Sequence, residues 1–345
     1  MVWAKSSQTF SRLGKCKLWN PENLSQDYRT IVISIGSIFL FTGLISVVTV
    51  PFIYWKLDND ISSARFLTDK EKTQALERLR ANQTGAGSQE LKWDHAKEAF
   101  LDSKTYLFIG MSFGNNLGSQ VITSFGPLIL NGLGFDKYTT SLLNMPFGII
   151  QMLVVLGVAY AAMKFKFKSL TYLALLCPII VGLVLLYTIP HDTSHTGLLL
   201  FGYYLLALIF GGNSLIVSWI LANTGGQTKK SVMMSLYNAA SSAGNIVGPL
   251  LFSAADAPTY HPGLRKILGV FVMIFCLVIV QVGVLFLYNK AQEKKRVANG
   301  KPAKIHDHSM EERYVDIHTD NSASIGGNAF ADLTDRNNDE FVYVY

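Results

Sequence analysis

Residues Ile267–Asn289, ILGVFVMIFCLVIVQVGVLFLYN, decide the fold class: 23 residues pass without an Asp, Glu, Lys or Arg. A helix rises about 1.5 Å per residue, so roughly 20 predominantly apolar residues cross the ~30 Å hydrocarbon core of a bilayer. Working back toward the N-terminus, six more charge-free stretches of 22 to 36 residues qualify: Thr30–Trp55, Thr105–Phe135, Tyr138–Met163, Ser169–Pro190, Thr193–Thr228 and Ser231–Ala255. The expected fold is all-α and integral to the membrane, with seven transmembrane helices. Seven is odd, whereas transporters built from internal repeats usually carry an even number. The count therefore points either to a receptor or to part of a transporter.

Composition agrees with a membrane chain. Half of the 345 residues are hydrophobic and 16% are charged, against about 25% charged in a soluble domain. The net charge of +6 arises mostly in short loops flanking the spans. Topology explains it better than nucleic-acid binding, and no aromatic-interleaved basic patch is present. Cys16, Cys177 and Cys276 form neither a disulfide framework nor a metal-ligand spacing, and the seven histidines make no HExxH pattern. No cofactor and no metal are expected. Residues 1–29 contain Trp19, Asn20 and Pro21 but no apolar core, so no cleavable signal peptide is read there.

Short loops set orientation through their Lys and Arg content. Lys164, Lys166, Lys168, Lys229, Lys230, Lys290, Lys294, Lys295 and Arg296 fall on one side if the spans alternate, while the opposite loops hold only Lys137, Arg265 and Lys266. The tail is expected to be cytosolic, and with it the 56–104 connection. Seven crossings then put residues 1–29 outside, although Lys5, Arg12, Lys15, Lys17 and Arg29 give that segment the wrong bias. The organisation expected is an atypical N-terminal segment (1–29), one helix (30–55), a central loop with short helices (56–104), a six-helix unit (105–289) and a largely disordered tail (290–345).

In the central loop, Thr68 and Glu71 have capping-box spacing. Ala75, Leu76 and Leu79 would form an apolar stripe with Gly85 as the stop, and a second amphipathic helix is expected over Lys92–Phe100, with Trp93, Ala96 and Phe100 on an interfacial face.

Ionisable groups in hydrocarbon are costly and usually functional. None lies in the core of any span, so amides and hydroxyls carry what chemistry the spans hold. Ser112, Asn115, Asn116, Ser119, Gln120 and Thr123 crowd one side of the second span. They read as lining a polar cavity, with interhelical hydrogen bonding the competing role. Asn238 and Asn245 on the sixth span and Asn213 on the fifth join the cavity candidates. Gly244 and Gly248 form a small-xxx-small pair, Pro249 disrupts the helix end, and Asn144 with Pro146 and Gly211-Gly212 mark bends or close packing. His191, Asp192, Ser194 and His195 share one loop, read as a solvated turn rather than a triad. No catalytic residue is expected, and the protein reads as a non-enzyme.

From about Thr42 onward the chain resembles the C-terminal portion of fungal allantoate permease-like transporters, anion:cation symporters of the major facilitator superfamily. The resemblance rests on several segments. They include Ala64-Arg65-Phe66-Leu67-Thr68 with Glu71-Lys72, and Glu77–Gly85 (ERLRANQTG). Further along come Asn223–Lys230 (NTGGQTKK), Ala243–Pro249 (AGNIVGP), and Asp256–Tyr260 (DAPTY) with Pro262-Gly263. The last is the ending from Asp332-Leu333-Thr334-Asp335 through Glu340-Phe341. This resemblance implies a twelve-helix fold of two six-helix halves, of which this chain would supply helices 6–12. It further implies a proton-coupled carrier of small organic anions, ureides or vitamins such as allantoate, nicotinate or pantothenate, sited in the plasma membrane. The superfamily's loop signature would echo near Gly157–Lys164, where Ala162 stands in the place of an acidic residue. By itself the chain is expected not to transport. The alternatives are a transport-dead partner of a complete carrier and a seven-helix receptor; the receptor is disfavoured by the structured 56–104 loop and the absence of D/E-R-Y and N-P-x-x-Y patterns.

Overall fold

The computed structural model describes residues 26–56, 58, 64–81, 91–132, 137–165, 167–190, 193–252, 260–305 and 331–345. Residues 1–25, Gly85, His191, Asp192 and Asp256–Thr259 lie outside them, as do the side chains of Leu76 and Leu79. The described residues fold as α-helices with short 3-10 turns and no strand. The chain divides into two compact units, Met1–Leu76 and Glu77–Tyr345.

The first unit contains α1 (Gln26–Lys56) and the start of α2 (Asp69–Ala81). Helix α1 therefore takes in the last residues of the segment expected to precede it. Its described side chains, Phe39, Leu40, Val47 and Phe52 among them, are exposed. Its hydroxyls turn back onto the helix: Thr42 Oγ1 donates to the Phe39 carbonyl (3.1 Å), Ser46 Oγ to Thr42 (3.1 Å) and Thr49 Oγ1 to Ser46 (2.8 Å). That arrangement satisfies polar atoms without water, as a bilayer requires. At the start of α2 the capping box forms: the Thr68 amide donates to Glu71 Oε2 (2.9 Å) and the Glu71 amide to Thr68 Oγ1 (3.4 Å). The Thr68 backbone bond lowers the Glu71 carboxyl from its ordinary value.

The second unit opens with α3 (Trp93–Leu101), one residue later at each end than the sequence suggests. Its expected face divides, since Ala96 is buried while Trp93 and Phe100 are exposed. Then follow α4 (Ser103–Gly132), α5 (Lys137–Phe165), α6 (Lys168–Thr188), α7 (Thr196–Leu205), α8 (Ile209–Ala222), α9 (Gln227–Leu250) and α10 (His261–Ala298). A 3-10 turn at Leu206–Leu208 joins α7 to α8. The tightening sits three residues before Gly211-Gly212, which themselves lie inside α8.

By length and composition, five helical stretches are fit to cross a membrane: Phe39–Lys56, Tyr138–Phe165, Lys168–Thr188, Thr196–Ala222 and His261–Ala298. The two expected spans outside this set are α4 and α9. Both are long enough, but Asn115, Asn116 and Gln120 in one, and Asn238 and Asn245 in the other, dilute their hydropathy. Large apolar side chains lie on the outside as well as in the core. Leu142, Met145, Ile149, Met152, Leu153 and Leu156 of α5 are exposed, the pattern of a helix that faces lipid.

Helix α4 is central, packing most extensively on α9 and also on α10 and α8. The α4–α9 crossing is close because α9 presents glycines. A Cβ added at Gly244 would lie 2.4 Å from the Phe113 carbonyl oxygen, and one at Gly248 would lie 2.8 Å from that of Leu117. Across α6 and α7, a Cβ at Gly182 would meet the Gly202 carbonyl at 2.8 Å. Small residues of this kind let helices approach where lipid supplies no hydrophobic drive.

The segment after residue 289 departs from the expected disordered tail in two places. Helix α10 continues to Ala298, and residues 331–345 pack across the end of the unit where α4, α6 and α9 begin and α8 and α10 finish. The Lys168 amide donates to the Tyr345 carbonyl (2.8 Å), Trp219 Nε1 to that of Val344 (2.9 Å) and Gln292 Nε2 to that of Asp335 (2.6 Å). This strap gathers Lys104, Lys168, Lys229 and Lys295 at one end, as alternating spans require. A polar composition suggests disorder because it offers little apolar surface. Here specific buried partners supply what composition does not.

Candidate functional site

The predicted cavity residues separate into two sets. In the first, α4 and α8 meet through amides. Asn115 Nδ2 and Asn116 Nδ2 both donate to Asn213 Oδ1 (3.1 and 3.0 Å), and Asn213 Nδ2 returns a bond to Asn116 Oδ1 (3.1 Å). Tyr237 of α9 donates to Asn213 Oδ1 (3.3 Å), and Tyr172 of α6 to Asn115 Oδ1 (3.4 Å). Ser112 Oγ donates to the Tyr237 carbonyl (3.2 Å). Gly212 makes the space, since a Cβ there would fall 2.4 Å from Asn115 Oδ1. Asn115, Asn116 and Ser112 are buried, and their donors are spent on other helices and, for Asn116, also on the Ser112 carbonyl of α4 itself (2.9 Å). This network joins four helices and leaves little hydrogen-bonding capacity for a substrate.

The second set is open. Thr123, Asn238 and Asn245 are exposed, Gln120 is partly so, and Ser119 beside them is buried. Thr123 Oγ1 bonds the Ser119 carbonyl (2.9 Å), and Gln120 Nε2 reaches Ser124 Oγ at 3.4 Å. These residues lie on α4 and α9, the pair held by Gly244 and Gly248. The result is a set of accessible, uncharged polar side chains on two packed helices, able to donate and accept hydrogen bonds. Of the bend candidates, Asn144 Oδ1 accepts from Tyr203 (2.9 Å), and Pro146 lies within an uninterrupted α5. Gly211 packs against α5, where an added Cβ would stand 3.1 Å from Val154. Ala162 is buried, and Ser194 with His195 forms an exposed pair, Oγ to Nδ1 2.9 Å.

Sequence reasoning missed a cluster of charges just outside the spans. Lys229 Nζ lies 2.8 Å from Glu98 Oε1, 2.9 Å from Asp102 Oδ2 and 2.9 Å from Asp335 Oδ1. Lys104 Nζ pairs with Asp335, stands 3.4 Å from Asp102 and donates to the Asn223 carbonyl (2.7 Å). Tyr288 donates to Asp102 (2.9 Å), Tyr343 to Asp335 (2.8 Å) and Thr334 to Glu98 (2.7 Å). Asp102, Lys104, Lys229 and Asp335 have fully buried side chains.

Burial by itself pushes the Asp335 carboxyl up, but the Lys104 and Lys229 ammonium groups outweigh it and hold it below its ordinary value. Asp102 follows the same balance. Burial also weakens the Lys229 ammonium, yet Asp335 and Asp102 raise it above its ordinary value. Carboxylate oxygens of Glu98, Asp102 and Asp335 lie within 4.8 Å of one another, a spacing that could hold a metal, but the Lys229 ammonium takes that position. The only sequence signal for this cluster was the resemblance of two segments, Asn223–Lys230 and Asp332–Phe341, which meet here.

Gln281 of α10 was also passed over. It is fully buried, and neither its amide nitrogen nor its oxygen finds a partner among the described residues. An open cleft of about 520 Å³, lined by Tyr187, His261, Arg265 and Lys266, includes none of the predicted cavity residues.

Comparison with known proteins agrees with this architecture. The Major Facilitator Superfamily profile matches residues 30–249. An uncharacterised transporter of Schizosaccharomyces pombe is 31% identical over 309 residues, covering 89% of this chain and 54% of the relative. The thiamine pathway transporter THI73 of Saccharomyces cerevisiae is 29% identical over 315 residues, with the same 89% and 54% coverage. The allantoate permease of Saccharomyces cerevisiae is 28% identical over 314 residues, again covering 89% and 54%. No solved structure matches the chain. The chain spans about half the length of the curated relatives it matches. With its long lipid-facing helices, its glycine-packed α4–α9 pair and this match, the chain is a multi-pass membrane protein that belongs to the Major Facilitator Superfamily.

Proposed function

We propose that the chain supplies helices 6–12 of a proton-coupled carrier of small organic anions, the substrate class being carboxylates, ureides or vitamins such as allantoate, nicotinate or pantothenate. The observation that carries this reading is the accessible polar side chains of Gln120, Thr123, Asn238 and Asn245 on α4 and α9, the two expected spans outside the five stretches apolar enough to cross a membrane. Such groups can hydrogen-bond a carboxylate or amide without fixing a permanent charge in the bilayer. Electroneutral uptake of an anion needs a co-moving cation, and no Asp, Glu, Lys or Arg lies in the core of these spans. The coupling group therefore belongs to helices 1–5 of the full-length parent. Placing the basic loops and the strap in the cytosol of a plasma-membrane protein follows the positive-inside rule.

Alternating access rocks one half of a carrier against the other around a midplane site. On this reading the chain alone does not transport, and co-expression with the missing helices restores uptake. The test is accumulation of labelled allantoate and nicotinate by cells making the chain alone, the missing helices alone, or both. Uptake by the chain alone would overturn the proposal. A second reading, a transport-dead partner of a complete carrier, predicts instead stable co-purification with that carrier and no gain from added helices.

A further inference from the structure

The segment 331–345 meets the helical unit as a ligand meets a receptor. Its backbone is read by paired amides. Asn289 donates to the Tyr343 carbonyl (2.9 Å) and accepts from the Tyr343 amide (2.9 Å). Asn223 does the same for Val344, at 2.9 and 2.8 Å. Side chains are read in closed pockets: Phe341 is 3% exposed, Tyr343 2% and Asp335 fully buried. Asp332 is fixed by the Gln227 amide (2.8 Å) and by Lys92 (2.9 Å). The receptor is also shaped for the segment. A Cβ on Gly225 would lie 2.7 Å from the Asp335 amide nitrogen, and Gly226 has a φ of +83° that only glycine adopts readily. Main-chain bonds that give affinity and pockets that give specificity are the two components of peptide recognition.

We infer that this end of the six-helix unit is a peptide-binding site, that residues 331–345 are its tethered ligand, and that Asp335 determines its specificity. The chemical class recognised is a peptide that turns at 335–337 and 339–340, with a buried aspartate and, eight residues later, a tyrosine whose hydroxyl donates to that same carboxylate. An occupied site clamps α4, α6, α8, α9 and α10 together at one end. An empty site would leave Lys104 and Lys229 with Asp102 as the one carboxylate they share, so the unit draws the segment back or accepts an equivalent peptide in its place.

The full chain provides the test. A protease site is introduced between residues 306 and 330, the intact protein is purified in detergent, the site is cut and the product is gel-filtered. The 331–345 fragment should co-elute with the body. A labelled synthetic 331–345 peptide should then replace it, the Asn337→Ala peptide should compete equally, since Asn337 is exposed, and the Asp335→Asn peptide should compete roughly a hundredfold less well, as loss of one partner of a buried pair implies. A fragment that elutes apart from the body would overturn the inference. So would equal competition by the Asp335→Asn peptide. Because binding alone is read, the result is independent of whether the assembled carrier transports an anion.

Discussion

Two polar assemblies hold the second unit together, and they obey different rules. Midway along the helices, Asn115, Asn116, Asn213, Tyr172 and Tyr237 form a neutral network in which one Oδ1 receives three donors. At the end of the bundle, Glu98, Asp102, Lys104, Lys229 and Asp335 form a charged one, five formal charges with three carboxylates about two ammonium groups. The difference follows from where each sits. Surrounded by lipid-facing helices, a full charge is prohibitively costly, so amides supply polarity there. Beyond the hydrocarbon, charges can be buried by the strap itself once all their partners are in place.

Several substitutions would break or sharpen this contrast. The largest effect is expected at the charged end. Asp335→Ala leaves Lys104 and Lys229 short of a buried counter-charge and should cost about 3–5 kcal/mol in reversible unfolding of the purified protein. A loss below about 1 kcal/mol would show that the cluster is already open to water. Gly244→Val drives side-chain atoms into the Phe113 carbonyl, and overpacking of this kind costs about 1–3 kcal/mol; a melting temperature unchanged from wild type would mean that α4 and α9 can separate freely. In the neutral network, Asn213→Ala removes the shared acceptor of three donors and should cost about 1–3 kcal/mol. Gln281→Leu should act in the opposite direction, raising stability by about 1–3 kcal/mol by removing a buried amide that has no partner among the described residues. A fall in stability there would reveal a partner that the network description lacks. Smallest are Asn238→Ala and Asn245→Ala, exposed changes expected within about 0.5 kcal/mol, while anion uptake by the completed carrier should drop if the open set contacts substrate.

The charged end also has a defined pH response. Asp335 is depressed from its ordinary 3.8, so its stabilisation is fully present above that value and is lost as pH falls through the lower folded value. Lys229 is raised from 10.5, so its contribution is fully present below 10.5 and is lost as pH rises through the higher folded value. Lys104 runs the other way, since burial holds its ammonium below its ordinary value despite Asp335, so the strap should stay docked from about pH 5 to neutral pH, which labelling of a cysteine in place of buried Phe341 would report.

What the sequence disclosed, and what it concealed, follows the range of each interaction. Charge-free runs are local, and the long helices occur where those runs lie. The Thr68–Glu71 cap is three residues wide and forms as spacing suggests. The side of α4 bearing six polar residues was legible, but its division into a bonded set and an open set was not. That division depends on Asn213 and Tyr237, which arrive from other helices. Least legible was Asp335, whose partner Lys104 lies 231 positions away. Composition assigns the tail to disorder, whereas residues 331–345 are held by pairing with partners distant in the chain.

The ammonium group of Lys229 occupies the point where three carboxylates converge. Many proteins fill such a point with calcium or magnesium and thereby tie their architecture to the ionic medium. Here the cation is covalently part of the chain and is present at fixed stoichiometry from the moment of synthesis. The carboxylates that meet at this end of the bundle thus draw their counter-charge from within the chain itself.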